Sequence, residues 1–527
     1  SYRDKYLQVK EYMEGNAEFV NEAERHGFTS EQFTKKLMGQ IVFLYFIQKK
    51  GWLGVDAFPT HMTERQYKDA FFRNSQSRSL IGRVYSAPDA EGWAHLNMQE
   101  FLHLNDEDAK FVASLVPGKA WGEGAKDFMR VLFDSCEKQG KNYFDDYLEP
   151  LFYEALNVNR GEKGYYPRFH RRVPFLNGGL FEQLENYDWQ HNDFDIPNEL
   201  FSNRKTKGKD EADGILDVFD RYNFTMAEDE PMEREVAIDP ELLGKVFENL
   251  LDVKDRKSKG AFYTPREIVH YMCQESLINY LASNTGIADE DIRKFILYGE
   301  YFCDSDTKKT KLVVKNGKHT HELDKNRPLE IPASIFSFTE NVNRIRELDD
   351  LLANVKIADP AVGSGAFLLG LLNEIVKARQ ILTSYLGIDM NGYQRMLLYA
   401  SGRKPYNLKL QTIKNCLFAC DLEPSATDIT KLRLWLSIVI DAETVENPNI
   451  QLDEYKDPPQ LPNLDCNIIC GNSLMDEFEG IKLITESNLL NNHAKTGMNS
   501  FYQTGFDTML KELVRLQDEL YFTKDHE

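Results

Sequence analysis

The stretch FTSEQFTKKLMGQIVFLYFIQKKGWLG, residues 28–54, places apolar Phe33, Leu37, Ile41, Leu44 and Tyr45 at helical spacing, the mark of a helix with one face in a core. Thr29 and Gln32 stand at capping-box spacing, Phe28 and Phe33 can staple the first turn, and Gly51 falls where the helix should stop. The same period dominates residues 1 to about 235, interrupted by the turn-rich VPFLNGGLFE at 173–182 and by a polar loop, SNRKTKGKDEAD, at 202–213. Near 236 the pattern changes. Asp239 and Pro240 mark a helix start, and in KGAFYTPREIVHYMCQESLINYL the residues Thr264, Pro265 and Glu267 predict a second N-cap, with Ile268, Val269 and Met272 on the buried face. Residues 288–340 read as an exposed insertion with short strands. Beyond about 355 the order becomes strand, glycine turn, helix, longer insertion, strand, helix, strand, which predicts an open α/β sheet, and a polar helix is expected over 507–527.

At 527 residues the chain is long enough for two to four domains, and the division at 235/236 gives two: a mainly helical domain, 1–235, and an α/β domain, 236–527. No apolar run reaches the roughly 20 residues of a membrane helix, so a cytoplasmic location is expected. Seven cysteines without dense spacing argue for reduced thiols. The net charge of −21 speaks against a general polyanion binder, because unspecific nucleic-acid affinity comes from clustered cations. Local charge differs: residues 160–172 bring Lys163, Arg168, Arg171 and Arg172 among aromatics, as a phosphate-contacting surface would, and a second basic run spans Lys254 to Lys259. The plainer reading of both is a solvated loop.

Candidate chemistry is concentrated in IADPAVGSGAF, residues 357–367. A dinucleotide site would need a third glycine where Leu368 stands, and a phosphate loop would need Lys after Gly365, where Ala366 stands. What remains is a ligand that approaches backbone closely and offers a positive group to Asp359. An ammonium and a sulfonium both qualify, and S-adenosylmethionine carries both. The next strand, LFACD, ends in Asp421, whose carboxylate can accept from two ribose hydroxyls, and NIIC leads to Asn472, whose amide can pair with an adenine edge.

GAFYTP, ADPAVGSGAF, CDLEP and ICGNSL together resemble the γ-class N6-adenine DNA methyltransferases, in particular those fused within type IIG restriction-modification enzymes. QIVFLYFIQKKGWLG, VPFLNGGLFE and VAIDPELLGKVFENLL resemble the helical connector of those fusions, so the likeness runs through nearly the whole chain. The resemblance implies a Rossmann-like methyltransferase fold over 236–527, S-adenosylmethionine as cofactor and double-stranded DNA as partner. It also implies that Tyr263, Thr264 and Pro265 close over the methionine end of the cofactor. Asp359, Pro360, Ala361, Gly363, Ser364, Gly365 and Phe367 would form the main loop, with Asp421 on the ribose and Asn472 on the adenine.

Departures from the family are as informative. Its Asn-Pro-Pro-Tyr/Phe motif, which receives the flipped base, is absent, so no catalytic residue is visible; Asp457-Pro-Pro-Gln460 reads as a turn. The Asp and Glu-x-Lys of an upstream nuclease are missing too, Glu454-Tyr-Lys456 lying in a proline-flanked stretch. A fragment of a larger protein is the expectation, inactive alone. Cys416, Cys420, Cys466 and Cys470 could suggest a four-thiolate zinc site, but their spacing within apolar strands reads as core. His319 and His321 share a strand face without further ligands nearby, and His170 and His270 indicate no catalysis. No metal is expected. No cysteine follows a proline, which removes cytosine C5 chemistry and leaves in-line methyl transfer to an exocyclic amine, on adenine N6 or cytosine N4. The rival reading is a module that holds cofactor and positions DNA.

Overall fold

The computed structural model describes residues 2–86, 93–116, 118–160, 164–176, 179–203, 213–221, 223–224, 237–238, 264–307, 310–315, 318–323, 336, 338, 341–386, 402–442, 458–475, 477–478, 481–482, 512, 515–516 and 519. The chain is mostly helical with small sheets and falls into two compact units. Tyr263, Lys163, Asp239, Pro240, Glu454, Lys456, Asp457, the run Lys254 to Lys259 and most of 507–527 lie outside the described residues.

The first unit comprises 1–239, 442–463 and 518–527. Its opening helices are α1 (Tyr2–Gly15), α2 (Ala17–His26) and α3 (Ser30–Lys49). The capping box forms as expected, with Thr29 and Gln32 exchanging side-chain and backbone hydrogen bonds, and Gly51 ends the helix at φ 72°. Phe28 and Phe33 both pack edge-on against Phe19, with ring centroids 5.7 and 5.1 Å away. The single buried face is exceeded: every residue from Leu37 to Gln48 is buried, so α3 is the axis of the unit. A small antiparallel sheet joins β1 (Val55–Asp56), β2 (Tyr165–Tyr166) and β3 (Arg171–Arg172). Residues 442–463 belong to this unit although they follow the first two strands of the α/β sheet. Lys50 Nζ donates to the Ala442 carbonyl (2.6 Å), and the Leu461 amide donates to the Leu176 carbonyl (2.5 Å). Pro458–Gln460 therefore runs here without helix or strand.

The second unit comprises 240–441 and 464–517. It opens with α4 (Arg266–Thr285) and α5 (Asp289–Thr307), followed by a hairpin, β4 (Thr310–Lys315) with β5 (Lys318–Leu323), in which His319 and His321 oppose Val314 and Leu312. Among the described residues, the insertion is thus a long helix plus a hairpin. Two details of α4 differ from the sequence expectation. Pro265, at ψ 142°, is the N-cap, so Thr264 lies one residue outside the helix and no side-chain cap forms. The buried face is Val269, Cys273, Leu277, Ile278, Leu281 and Thr285, whereas Ile268 and Met272 are exposed. Then come α6 (Val342–Asn354), β6 (Ile357–Asp359), α7 (Ala366–Leu386), α8 (Pro405–Cys416), β7 (Leu417–Asp421), α9 (Pro424–Asp441) and β8 (Ile468–Cys470). The three strands form a parallel sheet in the order β6-β7-β8, with Asp359 opposite Ala419 and Asp421 opposite Cys470. Leu368, Leu372, Ile375, Ile413, Leu417, Leu432 and Leu436 form its core.

Candidate functional site

Parallel strands finish at one end of the sheet, and Asp359, Asp421 and Asn472 all lie at that end in steps: Asp359 pairs with Ala419, two positions before Asp421, and Asp421 pairs with Cys470, two positions before Asn472. The chain leaves β6 through Pro360 and Ala361, both exposed, and turns over Gly363, Ser364 and Gly365 into α7. Gly363 at φ 55° and Gly365 at φ 79° take the left-handed conformation that a side chain resists. They differ in surroundings. A Cβ on Gly365 would strike Thr430 Oγ1 at 2.8 Å, whereas nothing lies within 4 Å of one on Gly363. Open space on the side-chain side of the Gly363 α-carbon lets a ligand approach the backbone closely.

The loop is tied to the neighbouring strand. The Gly363 amide donates to Asp421 Oδ2 (2.8 Å) and the Glu423 amide to Oδ1 (2.9 Å), so two of the about four lone-pair positions of this carboxylate are used and the rest can accept hydroxyls. Asp359 Oδ1 accepts from the Ala361 amide (3.2 Å). Burial raises the Asp359 carboxyl above its usual range, the Ala361 hydrogen bond lowers it, and the Asp421 charge raises it further. A cation placed between the two acids would relieve that repulsion. Asn472 is exposed, its Oδ1 accepting from the Leu474 amide (3.0 Å).

Four further residues belong to this place although their sequence context did not point to them. Leu422 and Leu474, 76% and 87% exposed, follow Asp421 by one position and Asn472 by two, leaving apolar surface at the strand ends. From below, Thr430 Oγ1 donates to the Gly363 carbonyl (3.1 Å) and Arg433 donates to the Ser364 carbonyl. The leucines could have been found from an apolar residue next to each strand-end polar group. Thr430 and Arg433 carry no such local sign. Phe367 is half-buried in the first turn of α7, and its carbonyl accepts from Cys273 on α4 (3.7 Å), so the helix that follows Thr264-Pro265 lies against the loop helix.

The cysteines are not all strand core, which corrects the sequence reading: Cys416 is buried at the end of α8, Cys420 and Cys466 are partly exposed, and Cys470 is exposed on β8, an edge of the described sheet. Cys416 ends α8 and Cys420 lies within β7, the first thiol donating to the Ala353 carbonyl (3.3 Å) and the second to the Gly471 carbonyl (3.2 Å). Among the described residues no group of three or more His, Cys, Asp or Glu could hold a metal. His270 Nδ1 lies 2.9 Å from Glu374, joining α4 to α7.

In the first unit, Arg171 is near Asp56 (3.4 Å), and Arg172 lies over the Trp121 ring (4.3 Å) and donates to the Lys119 carbonyl (2.8 Å). Arg168 contacts the Asp146 carbonyl only at 3.4 Å. His170 packs on Phe101 and is held below its usual pKa by burial and by the Arg171 charge.

No family model matches the chain. A protein of Methanocaldococcus jannaschii named as a type II restriction enzyme and methyltransferase is 30% identical over 92% of this chain. A type II restriction enzyme and methyltransferase of Escherichia coli is 30% identical over 25% of it. The chain spans 36% of the length of the first and 12% of the second. Among solved structures, a type IIL restriction-modification enzyme in complex with DNA aligns with 79% of this chain and 41% of its own, at 15% identity and a TM-score of 0.37. No helix among the described residues is long and apolar enough to cross a membrane.

Proposed function

We propose that this chain is the cofactor-binding part of a DNA methyltransferase within a restriction-modification protein, built on a Rossmann-like fold of the γ class. It would hold S-adenosylmethionine for transfer to the N6 amine of adenine in double-stranded DNA. The observation that carries the reading is that Asp359, the open Gly363 turn, Asp421 and Asn472 all lie at the same end of three adjacent parallel strands. That both curated relatives are named as combined restriction enzymes and methyltransferases agrees with it. A cytoplasmic site of action accompanies the DNA substrate.

Each residue has work suited to its chemistry. Asp359, with its charge disfavoured by burial and by Asp421, receives a positive group; Asp421 accepts from ribose hydroxyls while bracing Gly363; Asn472 meets the base edge. Leu422 and Leu474 would be covered by the flat face of the base, which removes exposed apolar surface from water. Thr264 and Pro265, with Tyr263, cover the methionine end, while Pro360, Ala361, Ser364 and Phe367 shape the loop. The bound cofactor supplies a methyl group activated by its sulfonium charge. Arg168, Arg171 and Arg172, with Lys163, are the proposed phosphate contacts.

The sequence contains no Asn-Pro-Pro-Tyr or Asn-Pro-Pro-Phe. This favours a second reading of the same site, in which the chain binds cofactor and positions DNA while residues of a longer protein receive the base, on adenine or on the cytosine N4 amine. Calorimetric titration of S-adenosylmethionine into the chain tests what both share. Micromolar binding that Asp359→Ala removes is the expected result, and a folded chain that binds no cofactor overturns it.

A further inference from the structure

Thr430 and Arg433 lie on one face of α9, three positions apart, beneath the glycine loop. Both are buried, Arg433 at 3% exposure among Leu432, Leu434, Trp435 and Leu436. A guanidinium taken out of water costs stability unless its donors find acceptors, and well-packed apolar residues generally serve packing as well or better. Its place under the loop therefore has a reason beyond packing. Arg433 donates to the Ser364 carbonyl and, at 3.4 Å, reaches Ser364 Oγ, while Thr430 Oγ1 donates to the preceding carbonyl, that of Gly363.

In a trans peptide the C=O and N–H point in opposite directions. With the carbonyls of Gly363 and Ser364 drawn down to α9, the amides that share their peptide planes, those of Ser364 and Gly365, point away from it. The Gly365 amide closes the turn on the Val362 carbonyl (3.0 Å). The Gly363 amide is held from the side by Asp421. The loop is thereby fixed at three successive peptide units by one strand-helix unit, β7 and α9. We propose that Thr430 and Arg433 are positioning residues that lock the glycine loop in its ligand-receiving conformation by holding its carbonyls. The ligand's identity rests on the methyltransferase reading; the clamp on the loop does not.

The test compares Thr430→Val, which removes the hydroxyl, with Thr430→Ser, which keeps it, and adds Arg433→Lys. Two readouts are used: S-adenosylmethionine affinity by calorimetry, and amide hydrogen exchange of residues 361–365 in the ligand-free chain. Thr430→Val is expected to weaken binding about five- to tenfold, the worth of one hydrogen bond to pre-organisation. It should also speed exchange in 361–365 while α7 and α9 keep their protection. Thr430→Ser should restore both. Unchanged affinity and unchanged loop exchange in Thr430→Val would overturn the proposal, as would exchange that rises equally through α9 and the core, the mark of a merely structural role. If the wild-type chain binds no cofactor, the methyltransferase reading falls, and loop exchange alone decides the clamp.

Discussion

Asp359 shows how much one position can carry. Its carboxyl is raised by burial first and by the Asp421 charge, with only the Ala361 amide acting against them. A carboxyl raised in the folded state binds its proton more tightly there than in the unfolded chain, so its ionisation works against folding as pH rises. Binding of the proposed cofactor would run the other way, because its cationic group needs the ionised acid. Cofactor affinity is therefore expected to fall on acidification, beginning above the ordinary carboxylate range. Titrations between roughly pH 4 and 8 would show it, and an affinity flat across that range would contradict the assignment. Asp359→Asn should lose binding yet leave the thermal midpoint of the ligand-free chain unchanged or slightly higher. Asp359 was legible because its signal is local: a short apolar run, an acid, then glycines. Thr430 was not, because its partner is 67 positions back in the chain and nothing near it differs from an ordinary amphipathic helix.

Elements depend on joints that lie outside their own sequence. Asp349 on α6, Arg379 on α7 and Arg403, just before α8, form a buried cluster. Asp349 Oδ1 accepts from Arg379 Nε at 3.0 Å, and its Oδ2 accepts from Arg403 Nη1 at 2.6 Å. Burial alone would raise the Asp349 carboxyl, but hydrogen bonds from Arg403 and Arg379 outweigh it and hold it below the usual range. A depressed carboxyl contributes stability at neutral pH that is lost as pH falls through its folded-state value. Asp349→Ala would leave two guanidinium groups buried without their acid, at a cost of about 3–5 kcal/mol. Chemical denaturation should show the loss at pH 7, and a variant as stable as wild type would contradict it. Helix starts illustrate the limits of local reading. Thr29 caps α3 as its capping-box spacing requires, but the same spacing at Thr264 fails because Pro265 keeps a non-helical ψ and takes the N-cap position itself.

At the scale of the whole molecule, charge limits the proposed DNA contact. A net charge of −21 opposes a polyanion everywhere except at local basic surface. Arg172 is engaged with Trp121 and a backbone carbonyl and Arg171 faces Asp56, so Arg168 is the best placed of the three to meet a phosphate. With three phosphate contacts, duplex affinity would drop about 40-fold between ~50 and ~200 mM salt. Arg168→Gln should lower the logarithmic slope by about one, measured by fluorescence anisotropy; an unchanged slope would remove Arg168 from the interface.

What the sequence determined by itself was the kind of each well-patterned element and the polar groups that end β6, β7 and β8, because helix period, capping and strand-end acids are written within a few consecutive residues. The tertiary structure decided the parallel register that sets Asp421 beside Cys470, the assignment of 442–463 to the first unit, the outward turn of Ile268 and Met272, and the clamp from Thr430 and Arg433. These depend on contacts between distant positions, whose free energy exists only after the chain has closed the loops that separate them.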